Sequence, residues 1–281
     1  MKHYTAEYHA PGWGAADAAH CDLRLFIDNT GCAAVADKSA RMVRHLLVKA
    51  YPNGRKYGYD PAKDLAEVWN ADAALQYQYA TTTGVFGTPY ATLIPRRLFD
   101  PHRLPDYFRL LLRPDTSALH YHTEPLPDFD AHLACAIPKP LFDAYSARFP
   151  QGQVTHLSVG LLRYWWRIAP AQETAVFANL RWDTLQIAVY ERRQLMFYNS
   201  FPVGHPDDLL YYALLAFDQF RLDPQQVPVH FSGHLDVQTD TYRAIARCFR
   251  HIRFVSLPET VRLPAVLEAF PSHRFLDLFL L

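Results

Sequence analysis

Apolar residues along this chain gather into short runs broken by polar turns, and two of those runs follow one scheme. From Leu23 to Ala36, an apolar strand, the turn Asp28-Asn29-Thr30-Gly31 and a second apolar strand predict a hairpin. From Val176 to Tyr190 the scheme recurs around Asn179-Leu180-Arg181-Trp182, and a third strand follows at Leu195 to Phe201. Behind the first hairpin, Val43 to Tyr51 predicts a third strand closed by the Pro52-Asn53-Gly54 turn. Asp60-Pro61 opens a helix carrying Leu65, Val68, Trp69 and Leu75, with the proline in the first turn, where its missing N–H costs nothing. Strands at Tyr77 to Thr83 and Tyr90 to Ile94 flank a Gly84 to Pro89 turn, and Pro105 to Leu112 reads as a short helix. Strands at Leu119 to His122 and His132 to Ile137 then precede helices at Pro140 to Phe149 and His156 to Ile168.

The segment Ala169-Pro170-Ala171-Gln172-Glu173 carries the clearest boundary signal and divides the chain into residues 1–170 and 171–281. Beyond the three strands of the second part, a helix starts at Pro206 with Asp207 and Asp208 in its first turn, which suits the helix dipole. Leu210, Ala213, Leu214 and Phe217 form its apolar stripe, and Asp223-Pro224 ends it. A strand at Val227 to Phe231, a helix bearing Tyr242, Ile245, Ala246 and Phe249, and a strand at Ile252 to Val255 complete the order βββαβαβ. That order predicts a mixed sheet with helices on its faces. The first part repeats it more loosely around an insertion, so the expected fold is α/β with a duplicated unit.

Composition narrows the partners. Of 281 residues, half are hydrophobic and 14% aromatic, as in ordinary globular cores. Lys+Arg and Asp+Glu both number 28, so the chain lacks the basic field that nucleic acid requires. No transmembrane segment is expected, because the longest strongly apolar run, Leu209 to Phe217, falls well short of the ~20 residues that span a bilayer. The N-terminus does not read as a signal peptide. Cys21, Cys32, Cys135 and Cys248 are scattered, which suits reduced thiols in a cytoplasmic protein better than disulfides or a zinc site. Glycine is scarce, 11 residues against 21 prolines. Phosphate-cradling loops need glycine for positive φ and close backbone approach, so this scarcity argues against nucleotide binding.

Three stretches carry a family resemblance: Tyr90 to Asp100; Leu195 to Phe201 with Asp208 to Tyr212; and Val229 to Leu235 leading into His251 to Val255. Together they resemble the uncharacterised bacterial domain-of-unknown-function 3822 family, over most of Cys21 to Glu259. That family is similar to the actin-like ATPase superfamily, near its pilus-assembly and secretion-platform proteins. The resemblance implies two actin-like (ribonuclease-H-like) lobes, each a mixed sheet of order βββαβαβ. It also implies where ATP with magnesium would sit, between the turns of the two hairpins. Asp28 stands where the first phosphate turn has its acidic residue, but Asn29-Thr30 replaces the usual Gly-Thr or Gly-Ser. Asn179 takes the acidic position of the second turn and Arg181 the glycine position. Ser232-Gly233-His234 takes the place of the strand end that commonly carries two glycines, and a water-activating carboxylate is missing unless Asp183 supplies it.

Other candidates weigh less. Asp28 in its turn is equally an Asx turn in a hairpin. His120 and His122 face one side of a strand and start a metal site, with Glu124 and His132 as the nearest helpers, but zinc wants three or four ligands. Ser158, Ser200 and Ser232 lie in no nucleophile elbow. Arg243, Arg247, Arg250 and Arg253 form a basic flank, a docking face or simply a solvated one. The apolar C-terminus, Phe275 to Leu281, packs either on its own core or in a homodimer.

The expected function is a binding or scaffold component, a degenerate actin-like protein that meets protein partners and has no catalytic residues, resident metal or cofactor. Its ligand-contact candidates between the lobes are Asp28, Asn29, Thr30, Gly31, Asn179, Asp183, Ser232 and Gly233. The alternatives are an ATP-binding member with atypical loops and a metal-dependent enzyme using His120 and His122.

Overall fold

The computed structural model describes residues 5–38, 42–51, 60–109 and 118–280. The expected Pro52-Asn53-Gly54 turn, Leu111 and Leu112 of the expected short helix, and Leu281 lie outside the described residues. In chain order the first half contains β1 (Ala6–His9), α1 (Ala15–Ala18), β2 (Asp22–Ile27), β3 (Gly31–Lys38), β4 (Met42–Ala50), α2 (Pro61–Ala71), β5 (Thr81–Phe86) and β6 (Ala91–Pro95). It continues through α3 (Leu104–Phe108), β7 (Leu119–Leu126), β8 (Ala131–Pro138), α4 (Lys139–Arg148), β9 (Gln153–His156) and α5 (Leu157–Ile168). The second half runs β10 (Thr174–Arg181), β11 (Thr184–Glu191), β12 (Gln194–Pro202), α6 (Pro206–Gln219), β13 (Val229–Gly233), α7 (Asp240–Cys248) and β14 (Ile252–Phe254). A 3-10 helix over Ser272–Phe279 ends it.

Two mixed sheets repeat one topology. The first has strand order β1-β4-β3-β2-β5-β9 and the second β12-β11-β10-β13-β14. In each, a hairpin and a third antiparallel strand are extended by two parallel strands. The order βββαβαβ therefore holds in both halves. Strand β1 is an addition at one edge, and β6, β8 and β7 form a separate antiparallel sheet inserted into the first half.

Local chemistry explains most boundaries. Asp60 caps α2 by accepting from the Ala62 N–H at 3.1 Å, and Pro61 occupies the first turn. The helix stops at Asp72, so Leu75 falls in a short 3-10 turn, Ala73–Gln76, outside it. The strand expected at Tyr77 to Thr83 is instead β5, four residues later, and Gly84 lies within it. A Cβ at Gly84 would meet the Tyr145 ring at 2.7 Å, so glycine there serves close packing, not a turn.

Period-two alternation divides the side chains of the second sheet between two cores. Val176, Ala178 and Leu180 of β10, with Leu185, Ile187 and Val189 of β11, pack beneath α6 and α7. Ala175, Phe177, Ala188 and Tyr190 face the other way, into a core shared with the first sheet through α5. Trp165 of α5 stacks on Phe177 at 5.8 Å, and the Tyr190 hydroxyl donates to the Leu162 carbonyl at 2.9 Å. The remaining residues of that face, Asn179 and Arg181, thereby point at the first half. Phe275, Leu276, Leu278 and Phe279 join the same core, so these residues of the apolar C-terminus pack on their own chain. No helix among the described residues is long and apolar enough to cross a membrane.

Candidate functional site

The turns of the two hairpins meet. Asp28 ends β2 and Arg181 ends β10, 153 residues apart, and the Arg181 Nε donates to Asp28 Oδ2 at 2.8 Å. The Nη1 of the same guanidinium donates to Asp277 Oδ2 at 3.0 Å, a carboxylate delivered by the C-terminal 3-10 helix. All three side chains are buried, at 1% exposure or less. Phe26 lies under the guanidinium at 5.2 Å, within cation–π range.

Burial raises the Asp28 carboxyl to about 6, against the opposing pull of Arg181 and with smaller upward contributions from Asp183 and Asp277. Burial also works against the Arg181 charge, but Asp277 and Asp28 outweigh it and hold the guanidinium protonated beyond its ordinary range. Two carboxylates offset one desolvated cation here, the condition under which a buried charge is tolerated.

Packing closes what charge brings together. Trp182 follows Arg181 at φ +50, a left-handed conformation rare for a bulky residue. Its indole lies on Gly31 so closely that a Cβ there would sit 2.5 Å from the ring. A Cβ on Gly87 would fall 1.8 Å from Asp28 Oδ1, so glycine is what lets that strand end pass the carboxylate. The second turn therefore sits at Trp182-Asp183, between β10 and β11, later than the Asn179-to-Trp182 turn expected from sequence. Asn179 and Leu180 remain paired in the strand, because the hydrogen-bonded ladder runs through Arg181↔Thr184.

The other expected contact residues form a buried layer beside this junction. Ser232 Oγ donates to Asn179 Oδ1 at 2.8 Å, and Asn179 Nδ2 donates to Gln186 Oε1 at 3.2 Å. Gly233, at φ +78, brings its Cα against the Leu180 carbonyl, where a Cβ would lie 2.1 Å from the oxygen. His234 packs edge-on to Trp182 at 4.6 Å. Thr30, Gly31, Asn179, Ser232 and Gly233 are buried, and Asn29 and Asp183 only partly exposed. In this arrangement the space between the turns holds the chain's own guanidinium and indole. An open groove of about 1130 Å³ lies elsewhere, between β9, α5 and the 258–262 segment.

Sequence reasoning names Arg181 only as the residue at the glycine position of the second turn, without its ion pairs, and does not single out Asp277. Arginine reads by default as exposed, and Asp277 was passed over inside an apolar run. A lone acid flanked by Phe275, Leu276, Leu278 and Phe279 is itself the signal, since burial of its neighbours forces it to find a cation. The histidine pair does not assemble: His120 stacks on Phe142 at 3.5 Å, His132 on Phe99 at 3.8 Å, and His122 lies 3.5 Å from Glu124. Ser158 bonds to the Tyr198 hydroxyl. Arg243, Arg247, Arg250 and Arg253 are exposed, with Arg243 paired to Asp240 at 2.6 Å.

Comparison with known proteins fits this fold. A Bacteroides thetaiotaomicron protein described as having an actin-like ATPase fold and unknown function superposes with a TM-score of 0.75 at 17% identity, covering 86% of this chain and 93% of its own. A structure of the PilM-PilN type IV pilus biogenesis complex matches with a TM-score of 0.59 at 10% identity, covering 92% of this chain and 97% of that one. No curated protein matches the sequence. The model of the family described as "Protein of unknown function (DUF3822)" matches residues 18–252, and the chain belongs to that family, with the fold of the actin-like ATPases.

Proposed function

We propose that this chain is a non-catalytic member of the actin-like fold that works as a binding or scaffold component for another protein. The observation that carries the reading is the buried Arg181 guanidinium, bonded to Asp28 and Asp277 in the space between the hairpin turns. A group that is fully charged, desolvated and doubly paired does not leave its place at low cost. The two lobes are thereby locked through their turns, and the fold serves as a rigid shape. PilM, whose fold is shared, is found in a complex with PilN, which supports a protein as the partner here. In this reading the protein works in the cytoplasm, where its four free cysteines stay reduced.

The alternative, ATP binding with atypical loops, draws support from Asp28 Oδ1 and Asp277 Oδ1, two buried acceptors with no hydrogen-bond partner. Thermal unfolding of the full chain with and without millimolar Mg-ATP separates the two, because a ligand that binds the folded state raises Tm. The expected result is an unchanged Tm. A rise that disappears in Asp28→Ala, which leaves Arg181 paired with Asp277, would decide for the alternative.

A further inference from the structure

We propose that His9, His45 and Asp72 form a binding site for a divalent transition-metal ion of the zinc class. The site lies at the β1 edge of the first sheet and shares no residue with the hairpin junction. The β1–β4 register sets His9 directly opposite His45, which places both imidazoles on one face of the sheet. Asp72 reaches them from the end of α2. Each of the three offers one ligand atom, and the three atoms lie within 4.8 Å of one another.

The detailed geometry offers a cation two buried atoms that otherwise form an ion pair with one another. Asp72 Oδ1 is used as a cap, accepting from the Ala74 N–H at 2.8 Å, while Oδ2 is buried and has no hydrogen-bond partner. His45 is fully buried, and its Nε2 also lacks a hydrogen-bond partner although it stands 3.2 Å from that oxygen. The two buried atoms stand at ion-pair distance, and each carries a desolvation cost. Ligand atoms bound to one tetrahedral ion at ~2.0–2.1 Å are separated by about 3.3 Å, which matches this spacing. The second imidazole approaches the other nitrogen of the His45 ring, with His9 Nδ1 3.2 Å from His45 Nδ1, so one ion takes a single His45 nitrogen and the three ligand atoms share it within the 4.8 Å spacing of the cluster. Glu7 Oε1, 2.9 Å from His9 Nε2, orients that ring from outside, as carboxylates do for metal-bound histidines.

Imidazole and carboxylate together suit zinc and its neighbours and not calcium or magnesium, which prefer oxygen alone. Glu7, His9, Trp13, Asp72 and Tyr77 line a cavity of about 340 Å³ beside the cluster. Three protein ligands leave one coordination position on a tetrahedral ion, the arrangement of an open metal site and not a closed structural one.

The test is a calorimetric titration of the full chain, stripped of metal by a chelator, with zinc(II). Cobalt(II) is added in parallel for the visible absorption of a low-coordinate ion. One equivalent of zinc per chain is expected. Affinity is expected to fall on the order of tenfold or more in His9→Ala and in Asp72→Asn, the latter retaining the cap on Ala74. His9 is partly exposed, so the metal-free Tm of His9→Ala should match wild type. Absence of stoichiometric binding overturns the proposal. So does binding unchanged in both variants, which would mean capture by the chain's other histidines.

Discussion

Between β2 and β3 the chain turns with a carboxylate and a glycine; between β10 and β11 it turns with a guanidinium and an indole. One scheme of strand, turn and strand underlies both, and each turn supplies what the other lacks. Asp28 answers the charge of Arg181, and the missing side chain of Gly31 makes room for Trp182. The two duplicated turns face one another. Complementary divergence of this kind keeps the architecture, because the strands behind the turns retain their registers.

Removing the guanidinium tests the comparison most severely. Arg181→Met leaves Asp28 and Asp277 buried without a counter-charge and should cost about 3–5 kcal/mol in urea unfolding. Combining it with Asp28→Asn and Asp277→Asn should recover most of that loss. A triple variant as unstable as the single one would mean that packing, not charge, joins the turns. Next in size is the steric half of the pair. Gly31→Ala drives a Cβ into the Trp182 ring and should cost about 1–3 kcal/mol, whereas Gly14→Ala, with nothing within 4 Å of its Cβ, provides the unperturbed reference. In a Trp182→Leu background the Gly31→Ala penalty should shrink.

Acid exposes the charge half by itself. Asp28 sits at about 6 in the folded chain against 3.8 ordinarily, so the folded state binds this proton more tightly than the unfolded state does. Its contribution to stability is therefore greatest below the unfolded value and is lost as pH rises through about 4 to 6, at no more than ~1.4 kcal/mol per pH unit. The stability of wild type relative to Asp28→Asn should accordingly grow as pH is lowered through that window, and denaturant titrations at several pH values measure it. A flat difference would mean that Arg181 holds Asp28 fully ionised throughout. The smallest effect is expected from Asp277→Asn, which leaves Arg181 and Asp28 as a neutral pair and should stay within about 1 kcal/mol of wild type.

Much of this molecule was legible from local pattern. The duplicated order βββαβαβ follows from runs of apolar residues and their turn residues, because strand and helix periodicity are written within a few positions of each residue. The cap at Asp60 and the stripe of α6 are signals of the same reach. Legibility failed where neighbours in space are remote in sequence. Gly84 looked like a turn until Tyr145 packed on it, and β1 and β9 gain their strand character mainly from β4 and β5. The metal-ligating cluster was invisible for the same reason, since His9, His45 and Asp72 are joined by strand register and a helix end.

The sequence alone determined most of the strands and helices, the duplication and the residue types at the two turns. Only the tertiary structure decided that those turns close on each other. Arg181 finds its carboxylates 153 and 96 residues away, and no window of local sequence reports whether an arginine will be left in water or desolvated. That choice depends on the summed charge and free space of an assembled interior: two acids, a glycine without a side chain, and an apolar C-terminus folded back to seal them.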